Sequence, residues 1–398
     1  MADGAAGADL GAILGPTLPF AAIGLLTALY WVCRVASFGL AYARPSRLSR
    51  YLHHGGGGPV SDSGSGGGGG QQQPRPPWAL VTGASDGIGK HLAAELADFG
   101  FNVVLHGRNP EKLAKVEEAL ADRFPSRKFR VIVADVSRVP CSGCSKPVPV
   151  AASARAHEPS ADSKEIGIGG AGDGEPTDSS QGLARATPAS APAAVDLDAI
   201  LAQLADLHLT VVINNAGGAL YDPGPFCGIE AYSARALTEN VSANALFPLL
   251  LTSRLMSRLT AASPSLVVNV GSMSDQAMPR LPSYAPSKAF LACMSSCLAL
   301  DAAFEGGARG AVEVVCVRVG DSTGTAHAGR RPSLFVPDAG RVARCILARV
   351  GCGRAVVVPY FWHAVQDAAA GMLPAWIKDR VVIYAMRQKT EQERLGLA

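Results

Sequence analysis

Apolar positions are distributed in two different ways along this 398-residue chain. Residues 10–33 carry no charge and are rich in Leu, Ala, Ile and Phe, a run long enough to cross the hydrocarbon core of a bilayer as a helix. Pro16 and Pro19 weaken its first part, so the firm helix is expected from about Leu18 onward. From residue 78 the pattern changes. Short apolar runs at 78–82, 102–106, 129–133, 210–214, 266–270, 313–319 and 355–358 alternate with segments of helical period at 88–99, 111–121, 197–205, 235–259, 284–304 and 341–350. Seven short apolar strands separated by helices predict an α/β fold built on a doubly wound, parallel, seven-stranded sheet. In such sheets ligands bind beyond the C-terminal ends of the strands.

Two stretches break the alternation. Residues 55–77 are rich in Gly, Ser, Gln and Pro and read as a flexible linker. Residues 139–194 are full of Ala, Ser, Pro and Gly with few large apolar side chains. They cannot bury enough surface to fold and read as a disordered insertion. The expected organisation is a membrane anchor with a basic flank at 1–54, the linker at 55–77, a dinucleotide-binding domain at 78–358 and a C-terminal apolar and amphipathic helical extension at 359–398.

Charge orients the anchor. Arg34, Arg44, Arg47 and Arg50 follow the apolar run, and no acid stands between Asp9 and Asp62. The positive-inside rule therefore places the body of the protein in the cytosol. A cleaved leader is the competing reading, since Ala41-Tyr42-Ala43 faintly resembles a cleavage site. The missing basic n-region and the length of the apolar run argue against it. Overall, apolar residues make up 48% and charged residues 17%, and the net charge of +3 is spread out, which gives no case for a nucleic-acid partner. The nine cysteines are odd in number, and most sit in apolar segments, so buried free thiols are expected. Cys141 and Cys144 form a C-x-x-C without a second pair at zinc spacing, and no metal is expected.

The chemistry-bearing residues fall at strand ends. Gly83, Ser85, Asp86, Gly87, Ile88 and Gly89 join the first strand to the first helix. Glycines there allow a tight turn and close approach of a pyrophosphate at the helix N-terminus. The end of the second strand reads His106-Gly107-Arg108-Asn109. With no carboxylate to repel a 2′-phosphate and Arg108 able to pair with one, NADP(H) is expected rather than NAD. Tyr284 stands four residues before Lys288, with Ser272 upstream. An ammonium one turn away would lower the phenol pKa toward useful acid strength, and a serine hydroxyl could hold the same substrate oxygen.

These motifs resemble the short-chain dehydrogenase/reductase family. The resemblance rests on the Thr82-Gly83-x-x-x-Gly87-x-Gly89 loop, Asp135-Val136, Asn214-Asn215-Ala216-Gly217, Asn269-Val270-Gly271-Ser272 and Tyr284-x-x-x-Lys288, in that order on one predicted fold. It implies that Tyr284 is the acid/base, Ser272 its partner on the substrate oxygen, and Lys288 the group that binds the nicotinamide ribose and tunes the tyrosine. Asn244, eight residues before Thr252, matches the relay asparagine, with Asn240 a weaker match. Asp135 would contact adenine, and Asn215, Ala216 and Gly217 would line the cofactor. Two departures stand out. Val319-Gly320 replaces the usual Pro-Gly, which leaves open whether Thr323 or Thr325 reaches the nicotinamide amide. The Ser272–Tyr284 interval is also one residue short, so Ser274 is a conceivable substitute.

The N-terminal anchor and the ending, with Leu373-Pro374-Ala375-Trp376, resemble the branch of very-long-chain 3-oxoacyl-CoA reductases and related 17β-hydroxysteroid dehydrogenases. That branch implies an endoplasmic-reticulum membrane enzyme acting on a lipid-like ketone with NADP(H), as a homodimer or beside other elongation enzymes. A steroid, retinoid or sphingoid-base ketone is the alternative substrate on the same scaffold. The alternative of another class is a non-catalytic, membrane-tethered nucleotide-binding scaffold; joint retention of Asn244, Ser272, Tyr284 and Lys288 argues against it. For the segment 360–377, His363, Gln366 and Asp367 favour a helix pair packed on the domain over a second membrane span.

Overall fold

Every short apolar run of the sequence becomes a strand in the computed structural model, which describes residues 18–55, 75–139, 195–219, 224, 226–306, 312–325 and 331–395. Most of the expected linker, and the expected insertion apart from Val139, lie outside the described residues. The strands are β1 (Pro77–Thr82), β2 (Asn102–Gly107), β3 (Phe129–Val133), β4 (His208–Asn214), β5 (Ser265–Ser272), β6 (Val312–Val319) and β7 (Val356–Val357). They form one sheet in the order β3-β2-β1-β4-β5-β6-β7, with every pair parallel. The chain winds outward from β1 to β3, returns to β4 beside β1, and winds outward again. The crevice at this switch point, at the strand C-termini, is where such sheets bind ligands.

Alternation along the strands feeds two cores. Ala79, Val81, Val103 and Leu105 meet Leu92 and Leu96 of α2 (Gly87–Phe99), Leu113 and Val116 of α3 (Pro110–Arg123), and Val342 and Ile346 of α8 (Ala339–Ala348). Their neighbours Trp78, Leu80 and Val104 face the other way. They pack with Ile200 and Leu204 of α4 (Leu197–Leu204) and with Leu251, Leu255 and Leu259 of α6 (Phe247–Ala261). The two-residue period of a strand requires this division.

The helix expected at 235–259 is interrupted. It consists of α5 (Ala234–Val241), a π-turn at Ser242–Leu246, and α6. Pro248 supplies the reason: it has no N–H for the carbonyl of Asn244 four residues back, and its ring would clash there. Widening the turn relieves both problems and re-aims Asn244.

The first helix, α1 (Leu18–Ala43), contains a 25-residue stretch, Pro19–Ala43, long and apolar enough to cross a membrane. Phe20, Leu25, Leu26 and Val32 on it are exposed. Its last turn is docked on the body: Tyr42 Oη donates to Val358 O at 2.5 Å and Arg349 donates to Ala41 O at 2.6 Å. Leu48 and Tyr51 are buried in the core, and Gly55 pairs with Arg75 across the 56–74 interval. The helix α7 (Tyr284–Glu305) is also long and apolar, but it lies on β5 and β6 with Leu291 and Ser295 buried.

At the C-terminus, α9 (Phe361–Gly371) packs on the domain through buried His363 and Ala364, whereas α10 (Ala375–Arg394) buries only Met386. The thiols depart from expectation. Among the described residues all are free, but only Cys316 and Cys352 are buried, while Cys33, Cys293 and Cys297 are exposed. Apolar neighbours in sequence do not say which helix face a cysteine occupies.

Candidate functional site

The glycine loop is shaped by contacts that exclude a side chain. Gly83 has φ +68°, and a Cβ there would lie 2.9 Å from Ala216 Cα. At Gly89 a Cβ would meet Gly83 O at 2.1 Å and Asn215 Nδ2 at 2.4 Å, so only glycine lets α2 start this close to the loop. Asp86 caps α2 by accepting from Gly87 N at 2.8 Å and also pairs with Lys112 at 3.1 Å. That charge and those hydrogen bonds hold its carboxyl below the usual range. Ser85 lies beside Gly107 at the end of β2, and Ile88 packs onto the core.

The loop after β4 is tied to the same place. Thr82 Oγ1 accepts from the backbone N–H groups of Asn215 and Ala216, both at 2.9 Å, while Asn215 Nδ2 donates to Thr82 O and Gly83 O. Gly217 and Gly218 follow with φ of 155° and 148°. Asn244 then locks Gly218: its Nδ2 donates to Gly218 O at 2.8 Å, and its Oδ1 accepts from Gly218 N at 3.0 Å. The Asn240 amide bonds Ser283 instead.

Ser272, Tyr284 and Lys288 converge at the end of β5. The Ser272 hydroxyl lies near enough to the partly buried Tyr284 phenol to pull its pKa down, and it accepts from Ser274 N at 3.1 Å. Lys288 Nζ donates to Val270 O at 3.0 Å and lies 5.8 Å from the Tyr284 ring centroid. Burial dominates the electrostatics. It lowers the Lys288 pKa to about 8. It raises that of Tyr284, with Ser272 acting in the opposite direction. The expectation that Lys288 depresses the phenol pKa is not met by this geometry: burial raises it, and the ammonium is turned to the Val270 carbonyl.

Sequence reasoning missed what holds this cluster. Arg318 on β6 makes a bidentate pair with Asp275, three residues past Ser272, at 2.6 and 2.7 Å, and reaches Asp367 of α9 at 2.8 Å. Beneath it, Asn214 Nδ2 donates to Thr252 and Asn269, and Asn269 donates to Ser295. His363 packs against Gly320, where a Cβ would lie 2.7 Å from its ring. These partners lie on separate elements, so only the motif asparagines gave any signal.

The other expected residues lie along the same edge. Arg108 is exposed just past β2, with no side-chain partner among the described residues, and Asp135 is exposed past β3. His106, on β2, is buried against Phe247, with neither ring nitrogen hydrogen-bonded among the described residues, and burial pulls its pKa to about 4. Thr323 is buried, its backbone bonded to Pro337 and Ala339, while the Thr325 methyl faces Gly87. The glycine cradle, the helix start and the Arg108 charge suit a phosphorylated dinucleotide.

The family model for short chain dehydrogenase matches residues 77–141 and 189–332. The very-long-chain 3-oxoacyl-CoA reductase of Aspergillus terreus is 26% identical over 279 residues, covering 70% of this chain and 62% of that protein. Its counterpart let-767 of Caenorhabditis elegans is 24% identical over 306 residues, covering 77% of this chain and 78% of the other. Among solved structures, a 7beta-hydroxysteroid dehydrogenase superposes with a TM-score of 0.56 at 17% identity, covering 78% of this chain and 96% of its own. At that identity the likeness concerns the fold alone.

Proposed function

The chain belongs to the short chain dehydrogenase family, and from that premise we propose that it is an NADPH-dependent reductase of a lipid ketone, the 3-oxo group of a long-chain 3-oxoacyl-CoA in fatty-acid elongation. The observation that carries the reading is the convergence of Ser272, Tyr284 and Lys288 at the strand ends beside the glycine loop. The names of the relatives support the substrate class.

In this reading Gly83, Ser85, Asp86, Gly87, Ile88 and Gly89 form the pyrophosphate cradle and Arg108 faces the 2′-phosphate. Asp135 would contact the adenine, Asn215, Ala216 and Gly217 would line the cofactor, and Thr323 would stand near the nicotinamide amide. The chemistry such a cofactor supplies when bound is hydride donation to the carbonyl carbon. Tyr284 delivers the proton to the carbonyl oxygen, and Ser272 fixes that oxygen by a hydrogen bond. A pKa raised by burial keeps the phenol protonated and able to donate. Lys288, within reach of both Val270 O and the tyrosine ring, stands where it can bind the ribose. Asn244 sets the floor of the site through Gly218 and stands in the relay position.

We place the protein in the endoplasmic-reticulum membrane through α1, with the catalytic body on the cytosolic side. The basic residues at the body end of α1 support this orientation. The test is turnover by the full-length, detergent-solubilised protein with NADPH or NADH and a panel of 3-oxoacyl-CoAs, ketosteroids and 3-ketosphinganine. NADPH-dependent consumption of the 3-oxoacyl-CoAs is expected; turnover of the steroid or sphingoid ketones alone would overturn the assignment.

A further inference from the structure

A cavity of about 630 Å³ lies between α10 and Pro279 and Arg280 of the loop that leads into α7. That volume is within the range of small-molecule sites. Its apolar wall includes Phe226, Ile383 and Met386. Phe226 and Met386 also belong to the apolar cluster that Tyr284 joins, so these two side chains link the cavity wall to the surroundings of that ring. The rim is charged. Arg280, Arg387 and Arg394 line it together with Glu391 and Glu393. Arg394 pairs with Glu391 at 4.0 Å, whereas Arg280 and Arg387 are exposed and make no ion pair among the described residues.

The backbone at the cavity is a second, independent sign. Among the described residues, the two non-glycine positions with positive φ are Phe226 at 57° and Arg280 at 67°, and both line this cavity. Such conformations cost free energy and persist where the surroundings enforce them, commonly at ligand-binding sites. Here the Tyr232 hydroxyl donates to Arg280 O at 3.1 Å. The α10 side is held by buried Met386 and by Lys389 paired with Asp321 at 2.8 Å.

We propose that this cavity receives the phosphorylated end of an acyl-CoA, with Arg280 and Arg387 meeting its phosphates and the thioester arm passing Met386 to present the 3-oxo carbon to Tyr284. The inference rests on the reading of the enzyme as a 3-oxoacyl-CoA reductase and adds where the nucleotide end binds. Guanidinium groups suit phosphate through their fork of donors. A steroid or a sphingoid base has no group that would use them.

The experiment compares two substrates with the same acyl chain, the 3-oxoacyl-CoA and its N-acetylcysteamine thioester, on the full-length protein in neutral detergent, where no anionic lipid competes. Arg280→Asn with Arg387→Gln removes both charges, asparagine being chosen because it tolerates positive φ. The double variant is expected to raise KM for the CoA ester about tenfold with kcat unchanged, while KM for the short thioester and the affinity for NADPH stay put. Glu393→Gln should move KM for the CoA ester the other way, because it removes a repelling carboxylate. Equal shifts for both thioesters, or no shift for either, would overturn the subsite and leave the reductase reading standing. Failure of wild-type enzyme to reduce either thioester would instead overturn that reading, and the subsite with it.

Discussion

Asn244 and Gly218 hold each other by two reciprocal hydrogen bonds, side-chain amide to backbone carbonyl at 2.8 Å and backbone N–H to side-chain oxygen at 3.0 Å. The pairing depends on the π-turn at Ser242–Leu246, which the missing donor of Pro248 favours. Substituting Asn244→Ala leaves both backbone groups of Gly218 without these partners. Denaturant unfolding should show a loss of about 1–3 kcal/mol, and turnover should fall with it. A variant as stable as wild type would show that the pair does not fix this loop.

Gly89 offers a steric test of the cradle. An added methyl would sit 2.1 Å from Gly83 O, which is backbone and cannot swing aside. Gly89→Ala should cost about 1–3 kcal/mol as overpacking and abolish dinucleotide binding measured by fluorescence titration. Gly218→Ala is a poor control because of its positive φ. Gly224, whose Cβ would meet nothing within 4 Å among the described residues and whose φ is not positive, is a suitable one.

His106 makes the fold acid-sensitive. Burial holds its pKa near 4 in the folded protein, against 6.5 for the free side chain. Between those values the unfolded chain binds the proton and the folded one does not, so stability falls as pH drops from about 6.5 toward 4. Urea unfolding across that range should show a steeper loss for wild type than for His106→Leu. Parallel curves would mean that the imidazole is protonated in the fold.

Cofactor choice should follow Arg108. It stands exposed at the end of β2 without a protein partner among the described residues, and its charge is available to a 2′-phosphate. Arg108→Ala should raise KM for NADPH about tenfold or more and leave KM for NADH nearly unchanged. Equal effects on the two would remove the basis for the NADP(H) preference.

Much of this site is legible in the sequence because its parts are local. The Gly83–Gly89 loop, Asn214-Asn215 and Ser272 each sit where a strand stops, and Tyr284-x-x-x-Lys288 opens the helix that follows β5; hydropathy alone marks those places. What escapes depends on contacts between distant segments. The Arg318–Asp275–Asp367 network joins residues 43 and 49 positions apart. A π-turn leaves the apolar period of 235–259 nearly intact, so one continuous helix was the natural expectation. The direction of the Tyr284 pKa also escaped, since burial is a property of the assembled fold and the spacing to Lys288 is not.

The central claim is that Tyr284 gives the proton to the substrate oxygen. It is tested most directly by single-turnover reduction of a 3-oxoacyl-CoA by wild-type and Tyr284→Phe protein preloaded with NADPH, followed by loss of nicotinamide absorbance. Phenylalanine keeps the ring that packs near Leu281, Ala285 and Met386, so the fold and NADPH affinity should persist. The account predicts a rate lower by about 10²–10⁴-fold. A rate within a few-fold of wild type would contradict it.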